Sequence, residues 1–235
     1  MTPRSAAVSE TVEPLRMPAA VLFDMDGTLL DSEKLWDVPL YELAERLGGR
    51  LDPVTREAMV GSNMTATLRM LFAELGLDPT PDALTEAGTW LRERTKEVFR
   101  AGVPWRPGAL ETLTALRATG VPMALVTSTE RELTEICLDT LGREFFQVTV
   151  CGDEVDGRNK PQPEPYLRAA RLLGVDPAAC VAVEDSPTGV AAAVAAGCTV
   201  LVVPCEVPVE AGERRVPRDS LVGVDLAELA ALLPD

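Results

Sequence analysis

The sequence predicts an α/β fold: an open parallel sheet of about five strands with helices on both faces, interrupted by an all-helical insert. Three observations carry this. Five short apolar runs, rich in Val and mostly without polar alternation, read as strands buried on both faces. Amphipathic segments that end at glycine separate most of those runs. The stretch 34–103 has helical periodicity and no strand-like run.

Taken in order, residues 1–17 are polar, contain Pro3 and Pro14, and lack the apolar core of a secretory signal. They are expected to form a disordered extension, with Met17 as an alternative start. The first strand is the run Ala19 to Phe23, ending at Asp24. In the insert, Trp36, Leu40, Leu43 and Leu47, then Leu68, Leu71, Phe72 and Leu75, recur at helical spacing. A helix from Gly108 to Thr119, with Leu110, Leu113 and Leu116 as its apolar face, stops at Gly120. Met123 to Val126 is the second strand and ends at Thr127. Arg131 to Leu141 is helical before Gly142, and Val148 to Val150 is the third strand. Pro165 to Leu173 is helical before Gly174; Cys180 to Val183 is the fourth strand and ends at Glu184 and Asp185. Ser186 caps a helix over Thr188 to Ala196, Pro187 suits its first turn, and Gly197 closes it. Thr199 to Val203 is the fifth strand. Residues 18–33 and 104–235 thus form the α/β unit and 34–103 the helical one.

Composition excludes several classes of function. The 235 residues carry 22 basic against 37 acidic side chains, a net charge of −15, with no basic block. Neither a nucleic acid nor an anionic membrane is an expected partner, and no apolar run reaches the length of a membrane span. With no histidine, Ser-His-Asp and Cys-His catalysis and His-ligated zinc are excluded. Five cysteines without a C-x-x-C read as buried thiols in a reducing, cytoplasmic setting. Chemistry falls to Asp, Glu, Lys, Ser and Thr.

In an open α/β sheet, ligands bind at the carboxyl ends of the strands. This sequence places Asp24, Asp26, Thr127, Glu184 and Asp185 there. Carboxylates crowded at adjacent strand ends repel one another unless a cation lies between them. An all-oxygen donor set favours a hard ion, Mg²⁺ being the usual one beside phosphate. Two carboxylates two residues apart can face one pocket, and Gly27 permits the sharp exit that follows.

Asp24-Met25-Asp26-Gly27-Thr28 resembles the first motif of the haloacid dehalogenase-like hydrolase superfamily. Thr127-Ser128 resembles the second, Lys160 in its proline-rich loop the third, and Glu184-Asp185-Ser186 the fourth, in the same order. The resemblance spans about Ala19 to Leu233, and the insert's position resembles the subgroup with a helical cap over a Rossmann-like core. It implies an Mg²⁺-dependent phosphatase acting on a small phosphorylated metabolite, a sugar phosphate or nucleotide-like compound, through an aspartyl-phosphate intermediate. Asp24 would be the nucleophile and Asp26 the general acid and base. Thr127, Ser128, Lys160 and Thr28 would serve the phosphate. Asp24, Asp185, Glu184 and the backbone carbonyl of Asp26 would serve the metal. Dehalogenases of the family do not need the second aspartate, which is present here. β-Phosphoglucomutase-like members usually carry a histidine after the first motif and an arginine in the cap loop; those positions fall near Trp36 and Met64. A phosphomutase is therefore the alternative, and a non-catalytic phosphometabolite sensor the second alternative. A monomer is compatible with the sequence.

Three further features carry expectations. Hinges are expected near Leu30–Lys34 and Val103–Pro107, and the loop Gly61 to Met64 is expected to meet substrate. Trp36, Trp90 and Trp105 read as packing residues of the insert or the domain junction. Arg92, Arg94, Lys96 and Arg100 read as a salt-bridged solvent face.

Overall fold

A computed structural model describes residues 17–234. Residues 1–16, expected to be a disordered extension, lie outside the described residues. Six parallel strands form one sheet: β1 (Ala20–Phe23), β2 (Met123–Val126), β3 (Val148–Val150), β4 (Cys180–Glu184), β5 (Thr199–Val202) and β6 (Arg215–Pro217). Their spatial order is β3-β2-β1-β4-β5-β6. The sheet therefore has six strands where the sequence predicts about five. The extra one is an edge strand with Val216 as its one aliphatic residue, and Pro217 is tolerated because an edge strand leaves N–H positions unpaired.

The other five strands form where the apolar runs predict them. Val21 and Phe23 of β1 enter one core, with Leu125, Val181, Val183 and Leu201. Ala20 and Leu22 enter the opposite core, with Ala124, Val126, Ala182 and Val200. Burial on both faces is why these strands show no polar alternation.

The helical insert consists of α1 (Glu33–Arg46), α2 (Pro53–Ala58), α3 (Met64–Glu74) and α4 (Pro81–Arg100). Leu40, Leu43, Leu68, Leu71, Phe72 and Leu91 form a core separate from those of the sheet. Asp52, Asn63 and Thr80 cap α2, α3 and α4 with side-chain bonds to the first turn. The two chains that join insert to sheet pair with each other. Asp31 N–H donates to the Pro104 carbonyl at 2.8 Å and Arg106 N–H to that of Leu29 at 2.9 Å.

The remaining helices flank the sheet: α5 (Ala109–Thr119), α6 (Arg131–Leu141), α7 (Glu164–Leu173), α8 (Pro187–Ala196) and α9 (Leu226–Ala231). One expectation about α5 is corrected. Leu113 and Leu116 are fully buried, but Leu110 is 42% exposed. A three-residue step turns a helix through only about 300°, so a strict i, i+3 series drifts off the buried face. Ala109 and Thr112 complete that face instead.

Candidate active site

The site forms where β1, β2 and β4 end side by side. Asp24 follows β1 directly, and its N–H donates to the carbonyl of Val183 at 3.0 Å, which carries the strand pairing to its last residue. The chain then turns sharply. Gly27 has φ +76°, and a Cβ there would collide with the Asp185 carboxylate. Glycine at this position thus serves both the turn and the close approach of two motif segments.

Around Asp24 lies a buried charge cluster. Lys160 Nζ donates to Asp24 Oδ1 at 2.6 Å, to Glu184 Oε1 at 2.6 Å and to the Val126 carbonyl at 2.9 Å. All three ammonium hydrogens are engaged, so a bond from Lys160 to phosphate requires exchange of one of them. Tyr166 also donates to Glu184 Oε1 at 2.6 Å, and Glu184 Oε2 accepts from the Asp185 N–H and the Ser186 hydroxyl. Glu184 thus has both oxygens committed and orients Lys160. Asp185 differs: Thr28 Oγ1 donates to its Oδ1 at 3.3 Å, while its Oδ2 is buried with no hydrogen-bond partner.

Three carboxylates here face one ammonium. Burial drives the Asp24 carboxyl up; Lys160 opposes this and Glu184 and Asp26 add to it, leaving it at about 8. Burial, then the charges of Asp24 and Glu184, lift Asp185 well above the carboxylate range. Burial works against the Lys160 ammonium, but the two carboxylates outweigh it and raise its pKa. Oxygens of Asp24, Glu184 and Asp185 lie within 4.8 Å of one another. The excess of negative charge, the all-oxygen donor set and the orphaned Oδ2 of Asp185 together fit a hard divalent cation.

Asp26 stands in a different environment. Its Oδ1 accepts from Ser32 Oγ at 2.6 Å and from Trp36 Nε1 at 3.2 Å. Its Oδ2 accepts from Thr129 Oγ1 at 2.8 Å and Thr127 Oγ1 at 3.3 Å. Four donors from two segments hold one carboxylate. Three of them, Ser32, Trp36 and Thr129, lie outside the residues that the sequence motifs assign to the site. Ser32 and Thr129 carry no signal beyond their closeness to the motifs. The packing role expected of Trp36 is met, edge-on against Phe99 at 5.4 Å, while its N–H also reaches Asp26.

A cavity opens from Asp24 and Asp26 toward the insert. Thr127 and Ser128 line it from the sheet side and Gly61, Ser62 and Met64 from the insert. The loop Gly61 to Met64 touches the sheet unit directly. Ser128 Oγ donates to the Gly61 carbonyl at 3.2 Å, and a Cβ on Gly61, at φ +72°, would collide with Ser186 and Thr188. Of the basic run on α4, Arg92, Arg94 and Lys96 are salt-bridged, as expected, while Arg100 makes no ion pair among the described residues, and the pairing is not only on a solvent face. Arg92 Nε meets Glu130 Oε2 at 2.6 Å, and Lys96 meets Glu132 on α6, so two of the pairs tie the insert to the sheet unit.

Against known proteins, a family model described as haloacid dehalogenase-like hydrolase matches residues 21–203. The chain belongs to this family. Hexitol phosphatase A of Escherichia coli is 34% identical over 194 residues, covering 80% of this chain and 84% of that protein. The phosphorylated carbohydrates phosphatase of Thermotoga maritima is 34% identical over 179 residues, covering 76% and 81%. A crystal structure of CbbY from Rhodobacter sphaeroides in complex with xylulose-(1,5)bisphosphate superposes with a TM-score of 0.80 at 27% identity, covering 91% of this chain and 99% of that one. The haloacid dehalogenase-like resemblance read from the four motifs is therefore correct, and the chain is a hydrolase of that family. No helix among the described residues is long and apolar enough to cross a membrane.

Proposed function

We propose that this hydrolase is an Mg²⁺-dependent phosphatase of small phosphomonoesters, sugar or polyol phosphates foremost, working through an aspartyl-phosphate on Asp24. One observation carries this reading: Asp24 is paired with Lys160 at 2.6 Å within a buried carboxylate cluster, while Asp26, two residues on, is held by neutral donors. Two carboxylates with unlike surroundings can take unlike roles. The named activities of the two curated relatives, a hexitol phosphatase and a carbohydrate phosphatase, support the substrate class.

Lys160 orients Asp24 for attack on phosphorus. The bond from phosphorus to the ester oxygen breaks as the Asp24 oxygen bonds to it, and Asp26 gives its proton to the departing alkoxide. Asp26 then takes a proton from water, which attacks the same phosphorus. The acyl phosphate opens, releasing inorganic phosphate and restoring Asp24. Thr127 and the Ser128 N–H are the donors for phosphate oxygens, with Thr127 exchanging its present bond to Asp26. Asp24 and Asp185, with the Asp26 carbonyl, would hold Mg²⁺, and Glu184 would reach it through water. The bound cation supplies the positive charge that the cluster lacks and lets Asp24 stand ionised beside a phosphate dianion. The helical insert acts as a cap that excludes bulk water. All five cysteines are free thiols, four of them buried, which supports a reducing, cytoplasmic setting.

The test is release of inorganic phosphate from a panel of phosphomonoesters, with and without Mg²⁺, with Asp24→Asn beside wild type. Release that needs both Mg²⁺ and Asp24 is expected. Conversion of a sugar phosphate to its isomer without free phosphate, seen by NMR, would establish a phosphomutase instead. Binding without turnover would establish a sensor.

A further inference from the structure

The cap's share of the cavity wall is mostly apolar: Leu40, Met59, Met64 and Leu91 line it, with Ser62 and Thr67 as neighbouring hydroxyls 2.7 Å apart. Among the described residues, one cationic side chain lines this cavity, Arg56 of α2. That cation is already spent. Its Nε donates to Asp37 Oδ1 at 2.6 Å, and its Nη2 to Glu33 Oε2 at 3.1 Å and to the Glu33 carbonyl at 2.9 Å. Glu33 is 4% and Arg56 8% exposed, so solvent screens their pairing little. Two carboxylates share one guanidinium, and protonation of one still leaves the group neutral. The wall's other acid from outside the catalytic pair, Glu130, is paired with Arg92. Met64, at the start of α3, brings a thioether and no charge.

We propose that Glu33 and Asp37, by neutralising Arg56, make this cavity a site for phosphomonoesters whose leaving group is an uncharged polyol or sugar, and exclude esters that carry a second phosphate or a carboxylate. The inference rests on the phosphatase reading above and narrows it. A second anion placed in the cavity would meet no free cation and would lie near Glu33, Asp24 and Asp26. Like charges brought together in a site of low dielectric discriminate strongly. An uncharged polyol meets instead the hydroxyls of Ser62 and Thr67 and an apolar surface suited to its C–H faces.

The experiment measures kcat/KM with saturating Mg²⁺ for sorbitol 6-phosphate, fructose 1-phosphate, fructose 1,6-bisphosphate, phosphoglycolate and p-nitrophenyl phosphate. Wild type is run beside Glu33→Gln, Asp37→Asn and the double variant Glu33→Gln, Asp37→Asn. Each single variant leaves one carboxylate on Arg56, whereas the double variant leaves none. Wild type is expected to prefer the two uncharged leaving groups over the two anionic ones by about a hundredfold. The double variant, which leaves the guanidinium without a carboxylate, is expected to shrink that ratio by about fivefold or more, chiefly through KM for the anionic esters, and each single variant to shrink it less. Equal or better turnover of phosphoglycolate or the bisphosphate by wild type overturns the inference, as does an unchanged ratio in a double variant that still turns over p-nitrophenyl phosphate. Either result leaves the phosphatase reading standing. No phosphate release from any ester, p-nitrophenyl phosphate included, overturns the phosphatase reading and this inference with it.

Discussion

The indole N–H of Trp36 donates to Oδ1 of Asp26 at 3.2 Å, which ties the first helix of the cap to the proposed general acid. Ser32, in the linker that leads to that helix, donates to the same oxygen at 2.6 Å. Cap position and carboxylate position are thereby coupled. A displacement of α1 moves two of the four donors of Asp26, while Thr127 and Thr129 stay with the sheet.

Trp36→Phe keeps a ring against Phe99 and removes the donor. A hydrogen bond to a charged group contributes about 1.5–3 kcal/mol, and three others remain here, so kcat for a sugar phosphate is expected to fall about tenfold. The fall should be much smaller for p-nitrophenyl phosphate, whose leaving group departs without protonation. Equal losses on both substrates would mean that Trp36 acts through packing alone.

Lys160→Met removes the ammonium from between Asp24 and Glu184 and leaves two buried carboxylates without it. Breaking a buried pair in this way costs about 3–5 kcal/mol. Urea unfolding of the metal-free protein should show a loss of that size, together with loss of phosphate release. A fully stable Lys160→Met protein would show that the cluster relaxes or takes up water.

Much of this architecture is written locally. Strands β1 to β5 are apolar runs because both faces are buried, and Gly120, Gly142, Gly174 and Gly197 mark where helices stop. Asp24, Asp26, Lys160 and Asp185 are legible because four ordered motifs put carboxylates at strand ends and a lysine in the proline-rich loop before α7. What is not legible depends on distant segments meeting. Tyr166 of α7 reaches Glu184 across 18 residues of sequence, and Arg56 meets Glu33 across 23. Neither pair has a spacing that marks it. Edge strand β6 escapes notice because only half-buried residues are needed at a sheet's margin.

The ion pairs Arg92–Glu130 and Lys96–Glu132 join α4 of the cap to α6 of the core. They are partly exposed, so each contributes at most about 1 kcal/mol and is weakened by salt. The double variant Arg92→Gln, Lys96→Gln is expected to raise KM about three- to tenfold with a smaller effect on the Mg²⁺ requirement. Wild-type KM should rise with ionic strength and that of the double variant should rise less. Parallel salt dependence in the two proteins would remove these pairs from cap closure.

Glu33 gives the protein a pH dependence of defined sign. Burial raises its carboxyl, Arg56 opposes, Asp26 adds, and it stands at about 7 against an ordinary 4.5. Between those values the folded protein holds a proton that the unfolded chain has released, so stability falls as pH rises through this window. The contribution is fully present below about 4.5 and gone above about 7. Its size is about 3 kcal/mol. Glu33→Gln keeps the side-chain length and cannot ionise, so its variant should lose less stability than wild type between pH 5 and pH 8. Thermal unfolding of both proteins at the two pH values, in the same excess of Mg²⁺, measures the difference directly. The fixed Mg²⁺ level holds the Asp24 and Asp185 cluster alike in both proteins, leaving Glu33 as the group that differs. If the two proteins lose stability in parallel, Glu33 stays ionised on Arg56 throughout. The neutralisation of that guanidinium is then complete at every pH in the range, and the charge selectivity proposed for the cavity should not vary with pH.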